Sequence, residues 1–555
     1  MVKTLFSLVL MLCALSAAKA QNFLWAERYG GDGEDVVRAL DTDGNGNAYM
    51  TGYYTDTANF GEGTMTSLGL FDVFVTKTLP DGTLAWSKSM GGVNNDYGTA
   101  ISCDAHGNVY ITGVFDVSFD ADPGSGQFML TAAGDFDIFV IKLDATGNFA
   151  WAKAIGGEGY EETTGIGVDN AGNVYVTGYF YNLADFNRGG EAFEMTPSGM
   201  SDGFIVKYKP DGSFTWAQRF GGEDFDLPMS MKVMGNGDMY LTGQFRGMAD
   251  FNPNPTEASF LTTEQKAVFY LYLNESGYLQ GVVNVGEAVS DAIGRDLAVD
   301  ADGNGYITGT FGGPMVFNAG TENEITIDSG TFTEGFVVKA SLETGAVWAK
   351  KFDCEGASFA LGIAINSQNE TFVSGYYDTN LGMDDIALTQ INENADENFL
   401  AKLDGDGNFV YAYQFGGANF IDSQHIRIDT ADNIYIAGAF ETTIDLNPLA
   451  TAEQDIEAYD LRDSYLIKMD NEILGINNPQ LSGSTMLYPN PATTITYLQS
   501  PENLTGTDYA VYDTSGRKIR SGKVENNNAI GVSTLPAGLY IVKLNGKFAY
   551  KLVKN

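Results

Sequence analysis

Gly107-Asn108-Val109-Tyr110-Ile111-Thr112-Gly113 reads as a tight turn entering a β-strand. The aromatic after the turn recurs as Tyr49, Tyr110, Tyr175, Tyr240, Tyr306, Phe372 and Tyr435, at intervals of 61, 65, 65, 66, 66 and 63 residues. Seven copies at a nearly constant period mark a repeat protein, in which each copy is one supersecondary unit that buries its apolar face only against its neighbours.

Within a copy the apolar pattern breaks into four short runs. In the second copy these are Ala100 to Cys103, Val109 to Phe115, Asp137 to Leu143 and Phe149 to Lys153, with Asx/Gly turns after the first and third. Period-two alternation between such turns predicts hairpins. Four strands in each of seven copies predict an all-β, seven-bladed β-propeller. All five tryptophans, Trp25, Trp86, Trp151, Trp216 and Trp348, fall in the fourth run. A ring locked to one repeat position predicts inter-blade packing; carbohydrate stacking is the alternative.

Asn22-Phe23-Leu24-Trp25-Ala26-Glu27-Arg28-Tyr29-Gly30-Gly31 is a fourth run with no earlier runs before it, and the last copy lacks an aromatic fourth run. The N-terminal strand is therefore expected to complete the last blade and leave no open sheet edge.

Strand parity puts the connections between second and third runs on one face, together with the links between copies. Those connections are long, near 55–71, 116–136, 181–201, 246–265, 312–333, 378–396 and 441–462. Long loops on a rigid scaffold are where binding is expected. They carry Asp120 and Asp122, Asp185 and Asn187, Asp250 and Asn252, and Asp445 and Asn447. These residue types are candidate Ca²⁺ ligands and equally ordinary Asx turns. A second series, Asp35, Asp96, Glu161 and Asp226, lies in the links before the first run. It reads either as an acidic rim at the channel mouth that binds a cation, or as caps on inter-blade turns. Asp41 to Asn47 has calcium-loop spacing but no acid at the twelfth position, which is Gly52, and reads as a hairpin turn.

Residues 1–20 show a basic start, an apolar run and Ala18-Lys19-Ala20, the pattern of a cleaved signal peptide. No other stretch is long and apolar enough for a transmembrane segment. The domains are then signal peptide 1–20, propeller 21–470, an Asn/Pro/Ser/Gly-rich linker 471–485, and a small β-sandwich 486–555. The net charge is −41, yet residues 486–555 carry eight Lys/Arg against four Asp/Glu, so the repeat region is more acidic still. Such a surface repels nucleic acid. Cys103 and Cys354 are at different repeat positions, so no disulfide framework is expected. The only histidines, His106 and His425, fall in distant copies and support no Ser/His or Cys/His catalysis.

GNVYITG (107–113) and DIFVIKLDATGNFAWAKAIGG (137–157) resemble the seven-bladed β-propeller repeat of secreted bacterial proteins. Residues 486–555 resemble the type IX secretion sorting domain of Bacteroidota, through Tyr488-Pro489-Asn490-Pro491, Val511 to Arg517, Leu535 to Val542 and the closing Lys551-Leu552-Val553-Lys554. The second resemblance implies handling by the type IX secretion machinery and export to the cell surface or beyond. The expectation is a non-enzymatic binding protein with an extracellular protein or glycan ligand and candidate Ca²⁺ sites. The alternatives are a structural surface or matrix protein, and a polysaccharide hydrolase or lyase using loop carboxylates.

Overall fold

A computed structural model describes residues 23–470 apart from 62, 255, 392–394, 417–420 and 447–454, together with 486–488, 492–499, 504–513, 518–536, 538–544 and 548–554. The expected signal peptide and linker, Asn447 and part of the sorting motif lie outside the described residues. The chain divides into two compact units, one of them Phe23–Asp470.

That unit is built from seven antiparallel four-stranded meanders. Their innermost strands are Asp35–Thr42, Asp96–Cys103, Glu161–Val168, Leu227–Val233, Asp291–Val299, Ser358–Ile365 and Ile421–Ile428. Each packs on the next, and the last packs on the first, so the meanders follow one another in cyclic order. The seventh is completed by Phe23–Asp32, which pairs antiparallel with Asp463–Met469 from Phe23↔Met469 to Tyr29↔Ser464. The expected shared meander is present, and it covers the edge of Asp463–Met469.

The second strand of every meander is apolar and buried on both faces, as Val109–Phe115 illustrates. In five of the seven copies the Tyr after the turn anchors the turn itself. Tyr110 donates its hydroxyl to Asp104 Oδ2 at 3.0 Å, while the amides of His106 and Asn108 donate to Asp104 Oδ1 at 2.9 and 3.0 Å. Asp43, Asp169 and Asp429 do the same for Tyr49, Tyr175 and Tyr435. Asp41 to Asn47 is accordingly a hairpin turn closed by Asp43.

The tryptophans tie neighbouring meanders together. The indole N–H of Trp25 donates to Pro80 O at 3.0 Å, that of Trp86 to Ala145 O at 3.3 Å, and that of Trp151 to Pro210 O at 3.1 Å. Each acceptor is in the third-to-fourth turn of the following meander. Trp86 is buried and Trp25 and Trp151 are half-buried, and a ring packed in a seam with a satisfied N–H is the expected use of Trp there.

The long second-to-third connections are not free loops. Six carry a hairpin, or extend their flanking strands into one, that pairs with the far end of the preceding meander's outer strand, as in Phe119↔Gly92, Ala184↔Gly157 and Ala249↔Gly222. The first meander's hairpin closes the cycle on the N-terminal strand through Ala58↔Gly31. The Gly-Gly pairs follow from this docking. A Cβ on Gly92 would land on the carbonyl oxygen of Ser118, and one on Gly91 on the carboxylate of Asp72.

In the second unit, Met486–Tyr488, Ile495–Gln499 and Ala529–Gly531 form one antiparallel sheet. Asp508–Asp513, Lys518–Lys523, Gly538–Leu544 and Phe548–Lys554 form another. Leu487, Leu498 and Ile530 of the first share a core with Val511, Val542 and Leu552 of the second.

Candidate functional site at the axial face

Every innermost strand carries a β-bulge at the same level. The register shifts between Val37 and Ala39, Gly98 and Ala100, Thr163 and Gly165, Pro228 and Ser230, Gly294 and Asp296, Ala360 and Gly362, and Asp422 and His425. A bulge re-aims the extra residue out of the ladder. The extra residues are Arg38, Thr99, Thr164, Met229, Arg295 and Leu361 in the first six meanders. Thr164 spends its hydroxyl on Pro228 O at 2.8 Å. Arg38 and Arg295 are the charged members of the series.

Beside this level runs a line of aromatic rings across the first four meanders. Tyr53 meets Phe71 at 4.9 Å and Tyr97 at 5.4 Å between ring centroids. Tyr97 continues to Phe136 at 6.2 Å, Phe136 to Tyr160 at 6.0 Å, Tyr160 to Tyr181 at 6.1 Å, and Tyr181 to Phe225 at 6.4 Å. Tyr53 is buried, the next five rings are half-buried and Phe225 is exposed. The Arg38 guanidinium lies over Tyr53 and Tyr97, 5.3 and 5.9 Å from the ring centroids, within cation–π range. The rings sit at the end of the meanders where the Gly-Gly pairs and hairpins lie, and the same end exposes Leu68, Leu70, Val93, Met200 and Leu461.

Two groups whose charges couple to Arg38 are perturbed. Glu162, in the third meander, accepts from the Tyr160 hydroxyl, and burial raises its pKa. His425 has its pKa pushed down to about 4 by burial and then by the charges of Arg427 and Arg38. A neutral imidazole follows, and its buried Nε2 has no hydrogen-bond partner among the described residues.

Asp35, Asp96, Glu161 and Asp226 do not form an open rim: all four are fully buried. They cap the inter-meander turns. Gly31 donates to Asp35, Gly92 to Asp96 and Gly222 to Asp226, each at 2.6 Å, and Gly157 donates to Glu161 at 3.2 Å. The physical reason is register: strand alternation turns the first residue inward, and the bulge three residues later presents a different side chain toward the axis. A second buried series, Asp72, Asp137, Asp202 and Asp463, opens the third strands. The charge of Asp463 acts on Asp35, that of Asp72 on Asp96, and that of Asp202 on Asp226. Burial first, and these neighbouring charges after it, push Asp35 and Asp96 up to about 8 and Asp226 up to about 7. Burial pushes Glu161 up to about 7. Arginines answer three of the second series: Arg28 with Asp463 at 3.4 Å, Arg219 with Asp202 at 2.5 Å, and Arg188 with Asp137.

The hairpin series is spread over separate meanders. Asp120 Oδ1 accepts from the amides of Asp122 and Phe128, Asp185 Oδ1 from Asn187 and Phe193, and Asp250 Oδ1 from Asn252 and Ser259. Asp445 pairs in the sheet opposite Gly416 and Asp455. Among the described residues no three His, Cys, Asp or Glu side chains gather as a metal-holding group. Cys103 and Cys354 are free thiols.

Sequence reasoning missed the bulge series and the aromatic line. The signal was available: Arg38 and Arg295 stand three residues after aligned positions. Phe71 and Phe136 each precede a third-run Asp, and Tyr160 and Phe225 each precede a first-run acid.

The description Secretion system C-terminal sorting domain matches residues 486–555, and the description Beta-propeller repeat matches residues 150–179. The chain is similar to the uncharacterized WD repeat-containing protein L264 of Acanthamoeba polyphaga mimivirus, with 23% identity over 66% of this chain and 32% of that protein. It is also similar to the regulatory protein FlaEY of Caulobacter vibrioides, with 23% identity over 32% of this chain and 19% of that protein. It therefore spans a third or less of the curated relatives it matches. Among solved structures, a quinohemoprotein alcohol dehydrogenase from Pseudomonas putida HK5 aligns over 85% of this chain and 79% of its own, with 12% identity and TM-score 0.37. The extracellular domain of a putative one component system from B. thetaiotaomicron aligns over 97% and 98%, with 10% identity and TM-score 0.17. Among the described residues no helix is long and apolar enough to cross a membrane. The chain carries a β-propeller repeat and, at residues 486–555, a type IX secretion sorting domain, which directs it to the cell surface or out of the cell.

Proposed function

We propose that this is an extracellular, non-enzymatic binding protein: a seven-bladed propeller that recognises a glycan or protein ligand on its Gly-Gly and hairpin face, followed by a small β-sandwich used for export. The observation that carries the reading is the line from Tyr53 to Phe225. A line of mostly half-buried rings beside the exposed Leu68, Leu70, Val93 and Met200 offers an apolar recognition surface on an acidic scaffold. Stacking on rings costs little side-chain entropy, since each ring has only two torsions to fix. The carboxylate pairs between meanders are buried and hydrogen-bonded to backbone, which disfavours their use as a hydrolase acid and base in an open cleft.

The test probes immobilised extracellular polysaccharides and matrix proteins with the secreted chain and with a Tyr97→Ala/Phe225→Ala variant. Retention of the parent, with retention by the variant weakened about tenfold or more at unchanged melting temperature, is the expected result. Equal retention of parent and variant would remove this face from the binding role.

A further inference from the structure

We infer that Tyr160, Tyr179 and Tyr181, with Glu162, form an aromatic cage that binds a quaternary or methylated ammonium group. This rests on the binding role proposed above and names a chemical group that the face takes.

All four side chains belong to one hairpin of the third meander. Glu162 stands directly opposite Tyr179 in the antiparallel pair of Glu161–Val168 and Val174–Phe180. Tyr160 lies two residues before Glu162 and Tyr181 two after Tyr179, and residues two apart share a face of a strand pair. The contacts agree. The Tyr160 hydroxyl donates to Glu162 Oε2. The rings of Tyr160 and Tyr181 are 6.1 Å apart between centroids with planes at 55°, and those of Tyr179 and Tyr181 are 5.9 Å apart at 84°. Rings set at such angles make a corner rather than a flat stack. All four side chains are half-buried, so the corner keeps part of its surface in water.

The chemistry is that of cation recognition. The face of a phenol ring attracts positive charge, and cages of such rings take quaternary ammonium groups. The Glu162 carboxylate lies close to all three phenols: burial first, and its charge after that, raises the pKa of Tyr160, Tyr179 and Tyr181. The charge of Arg38 reaches Glu162, but its guanidinium lies over Tyr53 and Tyr97 and makes no ion pair with that carboxylate. Its stacking there is an instance, within the same line of rings, of aromatic faces holding a cation.

The neighbouring meanders do not repeat the arrangement. Where the third sets Glu162 against Tyr179, the second sets Tyr97 against Val114 and the fourth Leu227 against Gln244. Neither pair joins a carboxylate to a ring. The chain's net charge of −41 draws cations to its surface, and the cage then selects among them. A bare alkali ion gives up water that ring faces cannot replace with oxygen lone pairs. Methyl groups around a charged nitrogen pack on rings without losing hydrogen bonds.

The experiment is isothermal titration of the secreted chain with choline, with its uncharged carbon isostere dimethylbutanol and with potassium chloride, repeated on Glu162→Gln, Tyr181→Leu and Arg38→Gln. Glu162→Gln keeps an acceptor for Tyr160 and Tyr181→Leu keeps apolar bulk, so both should melt near the parent; if either does not fold, the comparison of choline with its isostere on the parent still decides. Saturable choline binding is expected, about tenfold or more tighter than that of the isostere, with none for potassium. Glu162→Gln and Tyr181→Leu should each weaken it about tenfold or more, and Arg38→Gln, which removes a repelling charge, should tighten it. Phosphatidylcholine vesicles separate the sources of the cation: co-sedimentation that free choline competes away assigns a lipid headgroup, and choline binding without co-sedimentation assigns a dissolved ligand. Equal binding of choline and isostere would overturn the cation in favour of a merely apolar pocket, and equal binding of potassium would overturn the organic cation. Choline binding indifferent to all three variants would put the cation elsewhere on the acidic surface and overturn the cage. No choline binding would overturn the cage alone, since the retention screen with Tyr97→Ala/Phe225→Ala decides the binding role separately.

Discussion

Trp25 packs edge-on against Tyr435, with ring centroids 6.3 Å apart and planes at 72°, although the two come from opposite ends of the repeat unit. Tyr49 and Trp86, within one meander, stand 6.5 Å apart at 58°. The N-terminal strand thus occupies the seventh meander as a normal fourth strand. Trp25→Ala is expected to cost about 2–4 kcal/mol, the cost of truncating a large packed ring. Removal of residues 21–32 should do more, exposing the edge of Asp463–Met469 and producing soluble aggregates by size-exclusion chromatography. A monomeric, cooperatively unfolding truncation would show that closure is dispensable.

The buried acids make stability depend on pH in a direction opposite to that of an ordinary salt-bridged carboxylate. Asp35 and Asp96 titrate near 8 in the fold, against about 4 in the unfolded chain. Below pH 4 both states hold the proton. As pH rises the unfolded state releases it first, so stability falls progressively up to about pH 8. Asp35→Asn keeps an acceptor for Gly31 and removes the titration. It should flatten the melting-temperature profile between pH 5 and pH 8 and raise stability at pH 8 by about 1–3 kcal/mol. A variant that tracks the parent across that range would mean that Asp35 is ionised in the fold.

Asp104 shows the reverse sign. Burial works against its charge, but the Asn108 side chain and amide, the His106 amide and Tyr110 hold its pKa below the usual carboxylate value. Its contribution is present above the unfolded pKa and is lost as pH falls through the lowered one. Asp104→Ala should cost about 1–3 kcal/mol at pH 7 by urea denaturation, and Asp104→Asn distinctly less, since an acceptor remains.

Gly92 sits where the Phe119 hairpin crosses, and an added Cβ would meet Ser118 O. Gly92→Ala should cost about 1–3 kcal/mol through overpacking. It should also raise amide exchange in Ser118–Asp120 and Met129–Thr131 before other strands. Uniform exchange across the meander would argue that the hairpin docks by other contacts.

The hairpin aspartates already receive backbone amides, two to a single oxygen in Asp185. Asp185→Asn is expected to leave the melting temperature unchanged both in Ca²⁺ and in chelator. A chelator-induced drop that this variant abolishes would identify a cation at the turn.

Much of this protein was legible along the chain. The period of the Tyr49-to-Tyr435 series, the turns closed by Asp43 and Asp104, and the tryptophans locked to the fourth run all follow from local rules: alternation, turn chemistry and repeat position. The unpaired fourth run at Phe23–Gly31 even indicated how the ring ends meet, because a missing partner is visible in sequence. What the tertiary structure alone decided was direction. Asp35 and Arg38 are three residues apart, and strict alternation would turn them to opposite faces without saying which face meets the axis. With the bulge between Val37 and Ala39, Asp35 is fully buried and Arg38 is exposed. The hairpins likewise look like loops in sequence, since their partner strands belong to a different repeat and pairing across repeats leaves no periodic trace.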